Sequence, residues 1–184
     1  GGFMSMICSD KLYDAAKESN EPAEILFGTN NGVKTTLKQE ILNEGKSKDG
    51  MEACILYVNT HTQEIKYSGA NRLLWIVDSQ AKELTEIKPT KASIASFTEF
   101  NFEYAQHSFK LKKGDILYTT TDGFPDQFGG ADGKKYMSKN MKNFIVSISN
   151  KPIAEQSILL KQEINNWMGD LEQVDDLLVI GIRL

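Results

Sequence analysis

The chain has 184 residues, of which 40% are hydrophobic and 25% charged, and this composition predicts one globular domain and excludes a disordered protein. Its formal net charge of -4, from 21 basic and 25 acidic residues, argues against a nucleic-acid-binding protein, which normally carries a basic excess. The longest apolar run, LLWIV at residues 73–77, is too short to cross a membrane.

The cysteines indicate the cellular compartment, and the first residues indicate a longer parent chain. Cys8 and Cys54 lie in apolar surroundings outside any CxxC pair, which predicts buried thiols in a reducing compartment and disfavours a zinc site. We therefore expect a cytoplasmic domain, with membrane anchoring of the parent protein left open. The chain begins GGFMSMI, without an initiator Met, which favours a segment of a longer polypeptide.

Two helices are predicted before residue 42. Apolar residues recur at helical spacing over residues 3–16, up to the break at ESNEP. Pro22 suits the first turn of a second helix. Its apolar face is formed by Leu26, Val33, Leu37 and Ile41, although two interior glycines, Gly28 and Gly32, weaken the helical pattern.

The middle of the chain is predicted to form antiparallel strands. MEACILYVN, EIKYSG, RLLWIVD and ELTEIK are short, rich in aliphatic and aromatic residues and separated by turns, so they indicate a meander. YAQHSFKL and DILYTTT are predicted to pair with each other across a turn at residues 113–114.

Helices and one strand are predicted to complete the chain. Helical patterns cover residues 138–147 and a segment starting at Pro152, and LLVIGIRL is a strand. Helices, several antiparallel strands, further helices and a closing strand predict an α+β layered domain. We find no linker or internal repeat, so residues 1–184 are predicted to form a single domain.

Three acids follow or precede predicted strands. Asp122 comes at the end of DILYTTT, and Asp175 and Asp176 come just before LLVIGIRL. If these strands are antiparallel neighbours, the acids meet at one edge of the sheet, and Gly123 leaves room for a close approach. Hard divalent cations such as Mg²⁺ or Mn²⁺ prefer carboxylate and water oxygens, and they can activate water for phosphoryl transfer.

Simpler interpretations of the same residues remain open. Asp-Gly after a strand is most often a turn, and Asp126 is expected to cap the short turn before QFGG. His61 and His107 are expected to be surface residues. A calcium loop fits poorly, because the residues after Asp122 lack alternating Asp and Asn and include Pro125.

Several of these segments together resemble a known family. KKGDILYTTTDGFPDQFGG, the following GKKYM and the later GDLEQVDDLLVIGIRL resemble the SpoIIE-like branch of the metal-dependent protein phosphatases (PPM family). YSGANRLLWIVD is similar to a turn and strand of that branch, and GGFMSMI resembles the helix that follows the family's Gly-His-Gly motif. The resemblance covers nearly the whole chain.

The resemblance implies a fold, a chemistry and specific site residues. It implies an α-β-β-α sandwich of antiparallel sheets flanked by helices, with a two-metal site that holds Mn²⁺ or Mg²⁺ at one sheet edge. Asp122 matches the metal-binding Asp of the family's Thr-Asp-Gly motif. Asp175 matches the metal-binding first acid of its Asp-Asp motif, and Asp176 is expected to support it. No further catalytic residue is implied.

The chain departs from the family pattern in two places. The family's other principal metal ligands, and two core strands, lie upstream of the position that Gly1 matches. We therefore expect a phosphatase domain that lacks its first strands, with little or no activity as this fragment. KASIASF also lacks the family's Pro-Ile-Gly-type turn, so the flap near the site is expected to differ.

Two functions remain open on this basis. The first is a metal-dependent phosphatase of a bacterial signalling protein, controlled by upstream sensor domains and acting on phosphoserine or phosphothreonine. The resemblance implies a phosphorylated anti-sigma-factor antagonist of the STAS type as substrate. The second is an inactive interaction module with the same fold. In either case, a sheet edge left open by missing strands predicts pairing with a second copy, and hence a homodimer.

Overall fold

The computed structural model describes residues 2–39 and 49–184. The chain forms two compact units, Gly1–Leu74 with Lys88–Leu111 and Trp75–Ile87 with Lys112–Leu184, and each is described by itself. Ile41, part of the predicted apolar helix face, lies outside the described residues. None of the helices in the described ranges has both the length and the apolar character that a bilayer span requires.

The helices and strands of the described ranges follow the predicted order closely. The helices are α1 (Gly2–Glu18), α2 (Pro22–Leu37), α3 (Gly123–Asp126), α4 (Ser138–Ile148) and α5 (Ile153–Met168). The strands are β1 (Gly50–Met51), β2 (Ala53–Asn59), β3 (Glu64–Ala70), β4 (Leu74–Val77), β5 (Leu84–Ile87), β6 (Ile94–Ala95), β7 (His107–Lys110), β8 (Ile116–Thr120), β9 (Phe128–Gly129), β10 (Lys134–Lys135) and β11 (Val179–Arg183). The predicted α+β class is confirmed.

In the first unit, α1 packs closely against α2 at the two glycines that weakened the helical pattern. A Cβ added to Gly28 would lie 3.1 Å from the Cβ of Ala15, and one added to Gly32 would lie 3.0 Å from the Cδ of Lys11. The glycines therefore lower the helix propensity of α2 but allow the two helices to approach each other closely. Pro22 begins α2, where its missing N–H removes no hydrogen bond.

The core of the first unit lies where α1 and α2 meet the sheet β2-β3-β7 and the short strand β6. Its buried members include Cys8, Leu26, Val33, Ile94 and Tyr104. Burial raises the pKa of the Cys8 thiol, as expected for an apolar site. Cys54 is only half-buried, so the prediction of two buried cysteines is confirmed for Cys8 alone.

A buried asparagine of α2 holds the segment KASIASF in place. The Oδ1 atom of Asn30 accepts a hydrogen bond of 2.7 Å from the backbone N–H of Ala95, and its Nδ2 donates to the Glu99 carbonyl. Ala95 and Ser96 both have positive φ, at 61° and 56°. Such values are uncommon for residues with a Cβ, so this turn depends on its anchor.

In the second unit, four strands form a sheet in the order β11-β8-β4-β5. Ile116, Leu117 and Tyr118 of β8 are almost fully buried, as expected for a strand with a neighbour on each side. Tyr118 also donates a hydrogen bond to Gln156 of α5. Burial raises the pKa of Tyr118 to about 12.

Two of the predicted strand pairings are wrong. β2 and β3 do form an antiparallel hairpin, but β4 and β5 belong to a different sheet, so residues 51–88 are not one meander. YAQHSFKL and DILYTTT do not pair either, because β7 pairs with β3 while β8 pairs with β4 and β11. A short turn between two consecutive strands permits a hairpin but does not require one, and β8 pairs along its two edges with β4 and β11 instead.

The packing of α1 against α2 predicts opposite outcomes for two identical substitutions. Gly→Ala adds helix propensity worth about 1 kcal/mol at either position. At Gly32 the new methyl group mainly meets the Cδ and Cγ atoms of Lys11, at 3.0 and 3.3 Å, and this flexible side chain can shift, so the free energy of unfolding is expected to rise. At Gly28 it meets the Cβ of Ala15, which is fixed to the backbone, and the gain is expected to be lost or reversed. Urea denaturation checks both variants, and equal stabilisation would show that Gly28 is not needed for close packing.

Candidate metal centre

The candidate site depends on the pairing of β8 with β11. These strands are antiparallel neighbours, with Thr120 opposite Val179, so the condition on which the sequence prediction depended is met. The pairing continues one residue further, since the backbone N–H of Thr121 donates to the Leu178 carbonyl at 3.1 Å. The end of β8 therefore lies beside the segment that leads into β11, which brings Asp122 and Asp175 to the same edge of the sheet.

A glycine allows the two segments to approach each other closely. A Cβ added to Gly123 would lie 2.4 Å from the Asp176 carbonyl oxygen and 3.0 Å from its carbonyl carbon. Real Cβ atoms do not approach backbone that closely, so a side chain at this position would push Asp176 away. The glycine that follows Asp122 is therefore required by the contact between the two acidic segments, and not only by a turn.

The three acids are exposed to solvent. Asp122, Asp175 and Asp176 all have accessible side chains. The Oδ1 atom of Asp175 accepts a hydrogen bond of 2.7 Å from the backbone N–H of Asp176, which orients that carboxylate. Within the described residues, Asp122 stands at the N-terminus of α3 but makes no capping hydrogen bond with its side chain.

The carboxylates of Asp122 and Asp175 are suitable ligands for Mg²⁺ or Mn²⁺. Two carboxylates are, however, too few to form a two-metal site. Mg²⁺ is commonly held by one or two carboxylates and retains several water ligands, and it suits an exposed edge. Across residues 2–39 and 49–184, no group of three or more His, Cys, Asp or Glu side chains is arranged to hold a metal. The metal roles of Asp122 and Asp175 therefore remain predictions that rest on two exposed carboxylates at one sheet edge.

The structure differs from the prediction at a neighbouring acid. Asp126 was expected to cap the short turn before QFGG, but its carboxylate forms a 3.0 Å ion pair with Lys135. Its backbone N–H instead donates to the Asp122 carbonyl within α3. Lys134 and Lys135 form β10, exposed to solvent and paired with β9.

The two histidines were expected to be surface residues. His61 is exposed, as expected. His107 is half-buried and stacks on Tyr67 with ring centroids 5.9 Å apart. This packing gives His107 a structural place in the sheet of the first unit.

An aromatic cluster packs against α3, the short helix that follows Asp122. The ring of Tyr136 contacts the rings of Phe124 and Trp167 edge to face, with centroid distances of 5.3 and 5.2 Å. Trp167 belongs to α5 and is half-buried. Tyr136 donates a 2.7 Å hydrogen bond to Glu163, and its burial raises the pKa of the phenol. The cluster fixes α3, and with it the turn that begins at Asp122.

Trp167 also explains the glycine pair after α3. A Cβ added to Gly129 would lie 1.9 Å from the Trp167 carbonyl oxygen, and one added to Gly130 would lie 2.9 Å from the indole ring. The backbone N–H of Gly130 donates to the same carbonyl at 2.7 Å.

Sequence reasoning missed two further residues at this site, Thr121 and Gln127, which contact the acidic segment through their side chains.

Comparison with known proteins identifies the class. A family model described as Stage II sporulation protein E (SpoIIE) matches residues 1–184, so the chain belongs to the SpoIIE family. No curated protein sequence matches the chain.

Solved structures share the fold at low sequence identity. The SiaA-PP2C domain of Pseudomonas aeruginosa matches with a TM-score of 0.85 and 24% identity, over 99% of this chain and 69% of that one. The PP2C phosphatase domain of SpoIIE from Bacillus subtilis, with a fragment of its regulatory domain, matches with a TM-score of 0.70 and 17% identity, over 99% of this chain and 50% of that one. RsbX in complex with magnesium matches with a TM-score of 0.61 and 20% identity, over 97% of this chain and 71% of that one. The chain therefore has the α+β fold of PP2C-type phosphatase domains.

The contact at Gly123 predicts the effect of a single methyl group. In Gly123→Ala the new Cβ must displace the backbone of Asp176, and overpacking of this kind typically costs about 1–3 kcal/mol. We expect urea denaturation to show that loss, with amide chemical shifts changing at Asp176. Gly2→Ala is the control, because nothing lies within 4 Å of the added atom. A Gly123→Ala variant as stable as the wild type, with unchanged shifts, would contradict the close approach.

Proposed function

We propose that the chain is the phosphatase domain of a bacterial signalling protein and that it hydrolyses phosphoserine or phosphothreonine on a regulatory partner. The observation that carries this proposal is the register of β8 and β11, which brings the acids of both family motifs to one sheet edge. Membership of the SpoIIE family and the PP2C-type fold support the same conclusion.

The proposed cofactor is Mn²⁺ or Mg²⁺, held by the carboxylates of Asp122 and Asp175. Bound there, such an ion would supply an activated water and neutralise charge on the phosphoryl group. RsbX, which shares the fold, has been crystallised in complex with magnesium. In this chain the carboxylate of Asp176 is proposed to support the site, while its carbonyl contacts Thr121.

The protein's own residues would orient the reactants and keep the site open to a protein substrate. The three acids are exposed, so a phosphorylated side chain on the surface of a folded partner can reach them. Two carboxylates alone would repel a phosphate group, and an exposed cation lies nearby in Lys135, which pairs with Asp126. Because phosphoryl transfer depends mostly on position and electrostatics, the loss of one acid is expected to be severe.

The partners are proposed from the family resemblance. The substrate class is a phosphorylated anti-sigma-factor antagonist of the STAS type, and sensor domains upstream in the parent chain would control the activity. A second copy remains the proposed partner for the open edge of the four-stranded sheet, where β11 has β8 as its neighbour on one side. A cytoplasmic location is likewise proposed.

Substitution of the acids separates this proposal from an inactive interaction module. We would measure Mn²⁺-dependent hydrolysis of p-nitrophenyl phosphate by the chain and, if its natural polypeptide is longer, by that longer form. Asp122→Asn and Asp175→Asn are each expected to lower the rate by on the order of 100-fold or more, as for other preorganised electrostatic groups.

Asp132→Asn is the matched control, because Asp132 is an exposed acid of the same region that pairs with Lys134 and has no proposed role in the site. We expect it to retain most of the activity. If no form of the wild-type protein hydrolyses the substrate in excess Mn²⁺, or if Asp122→Asn is fully active, the interaction module becomes the better account.

A further inference from the structure

The segment that carries Asp175 has little regular structure of its own. Residues 169–178 connect the end of α5 to β11, and residues 171–176 of this connection are exposed. A chain of this kind has many accessible conformations, yet Asp175 must lie at a defined distance from Asp122 if the two are to share an ion. The structure shows what restricts it: a side chain on either side of Asp122 binds the backbone on either side of Asp175.

Thr121, immediately before Asp122, forms the first of these contacts. Its hydroxyl donates to the Asp176 carbonyl at 2.8 Å and accepts a hydrogen bond of 3.1 Å from the backbone N–H of Leu178. The hydroxyl therefore uses both its donor and its acceptor capacity on the segment that follows Asp175. A methyl group in its place would leave both backbone groups without this partner.

Gln127, five residues after Asp122, forms the second contact. Its side chain is fully buried. Its Nε2 donates to the Glu172 carbonyl at 2.9 Å, and its Oε1 accepts a hydrogen bond of 3.1 Å from the backbone N–H of Val174. These are the backbone groups that precede Asp175.

Gln127 is itself held rigidly. Its carbonyl accepts hydrogen bonds from the backbone N–H of Tyr136 at 2.9 Å and from the indole N–H of Trp167 at 3.1 Å. Its Nε2 also donates to the Phe128 carbonyl. Several hydrogen bonds hold the buried Gln127 side chain in one conformation, so it can fix the position of the backbone groups that it binds.

We infer that Thr121 and Gln127 are positioning residues, which together fix the placement of the Asp175 segment against Asp122 and so set the affinity for the metal ion. This inference rests on the proposed function. Groups that orient metal ligands without touching the metal commonly change affinity 10- to 100-fold when they are removed. The pair acts on backbone rather than on the carboxylates, which is why the acidic motif alone does not reveal it.

A second glutamine provides a matched control for a purely structural role. Gln156 is also buried, at 1% exposure, and its Nε2 likewise donates to two backbone carbonyls, those of Ser149 and Lys151. It holds the connection between α4 and α5 and accepts a hydrogen bond from Tyr118 of β8, and the hydrogen bonds that the structure describes for its side chain do not involve residues 172–178. Removing it should cost stability without moving the acids.

The experiment compares Thr121→Val, Thr121→Ser, Gln127→Leu and Gln156→Leu by amide hydrogen exchange and by Mn²⁺ titration calorimetry. Thr121→Val is expected to accelerate exchange at Leu178, and Gln127→Leu at Val174, by about tenfold, with little change outside residues 172–178. Each is expected to weaken Mn²⁺ binding by about 10- to 100-fold. Thr121→Ser keeps the hydroxyl and should therefore keep the amide exchange rates and the Mn²⁺ affinity of the wild type. Gln156→Leu should lower the unfolding temperature and leave both of these properties unchanged.

The outcomes separate this inference from the proposed function. If Asp122→Asn weakens Mn²⁺ binding but Thr121→Val and Gln127→Leu do not, or if Gln156→Leu weakens it as much, the positioning role is wrong. If the wild type shows no Mn²⁺ binding that depends on Asp122, the proposed function fails, and unchanged exchange in residues 172–178 would then overturn the positioning role as well. Should Gln127→Leu fail to fold, the Thr121→Val and Thr121→Ser pair decides the question.

Discussion

The antiparallel register of β8 and β11 is the constraint on which the candidate site depends. Thr120 lies opposite Val179, and this pairing determines which residues after β8 face which residues before β11. A slip of one residue would move the Asp175 segment by about 3.3 Å along Asp122 and turn each β11 side chain to the opposite face. The register extends over five residue pairs, from Val179 opposite Thr120 to Arg183 opposite Ile116, so the geometry of the site depends on the sheet of the second unit.

The described contacts that hold the Asp175 segment beside Asp122 are made mainly to its backbone and not between the carboxylates. Gly123 allows the Asp176 carbonyl to come within a distance that no side chain would permit, and Gly129 does the same for the carbonyl of Trp167. Thr121 and Gln127 then bind the free backbone groups of the acidic segment. The carboxylates remain exposed, which suits an ion that keeps part of its water and a substrate presented by another protein.

The sequence predicted the elements well and their pairing less well. Helical spacing and apolar runs located α1, α2, α4, α5 and β11, and the position of acids at strand ends predicted that Asp122 and Asp175 would share an edge. The meander and the hairpin of β7 with β8 were wrong, because proximity in sequence permits such pairings but does not determine which strands share a sheet. Gly28 and Gly32 weakened the pattern of α2 for a reason that only the packing against Ala15 and Lys11 reveals.

The positioning residues were beyond sequence reasoning for a different reason. Thr121 and Gln127 contact residues 45 to 57 positions away, and a single polar residue gives no periodic signal of such a contact. Asp122 and Asp175 stood out because acids at strand ends suggest a chemistry. A buried glutamine in a short turn suggests none until its partners are known.

The most direct test of the central claim is anomalous diffraction from a crystal soaked in Mn²⁺, using the longest natural polypeptide that contains this chain. The account predicts an anomalous peak in contact with the carboxylates of both Asp122 and Asp175. The absence of a peak at these carboxylates in saturating Mn²⁺, or a peak bound by other residues alone, would contradict it.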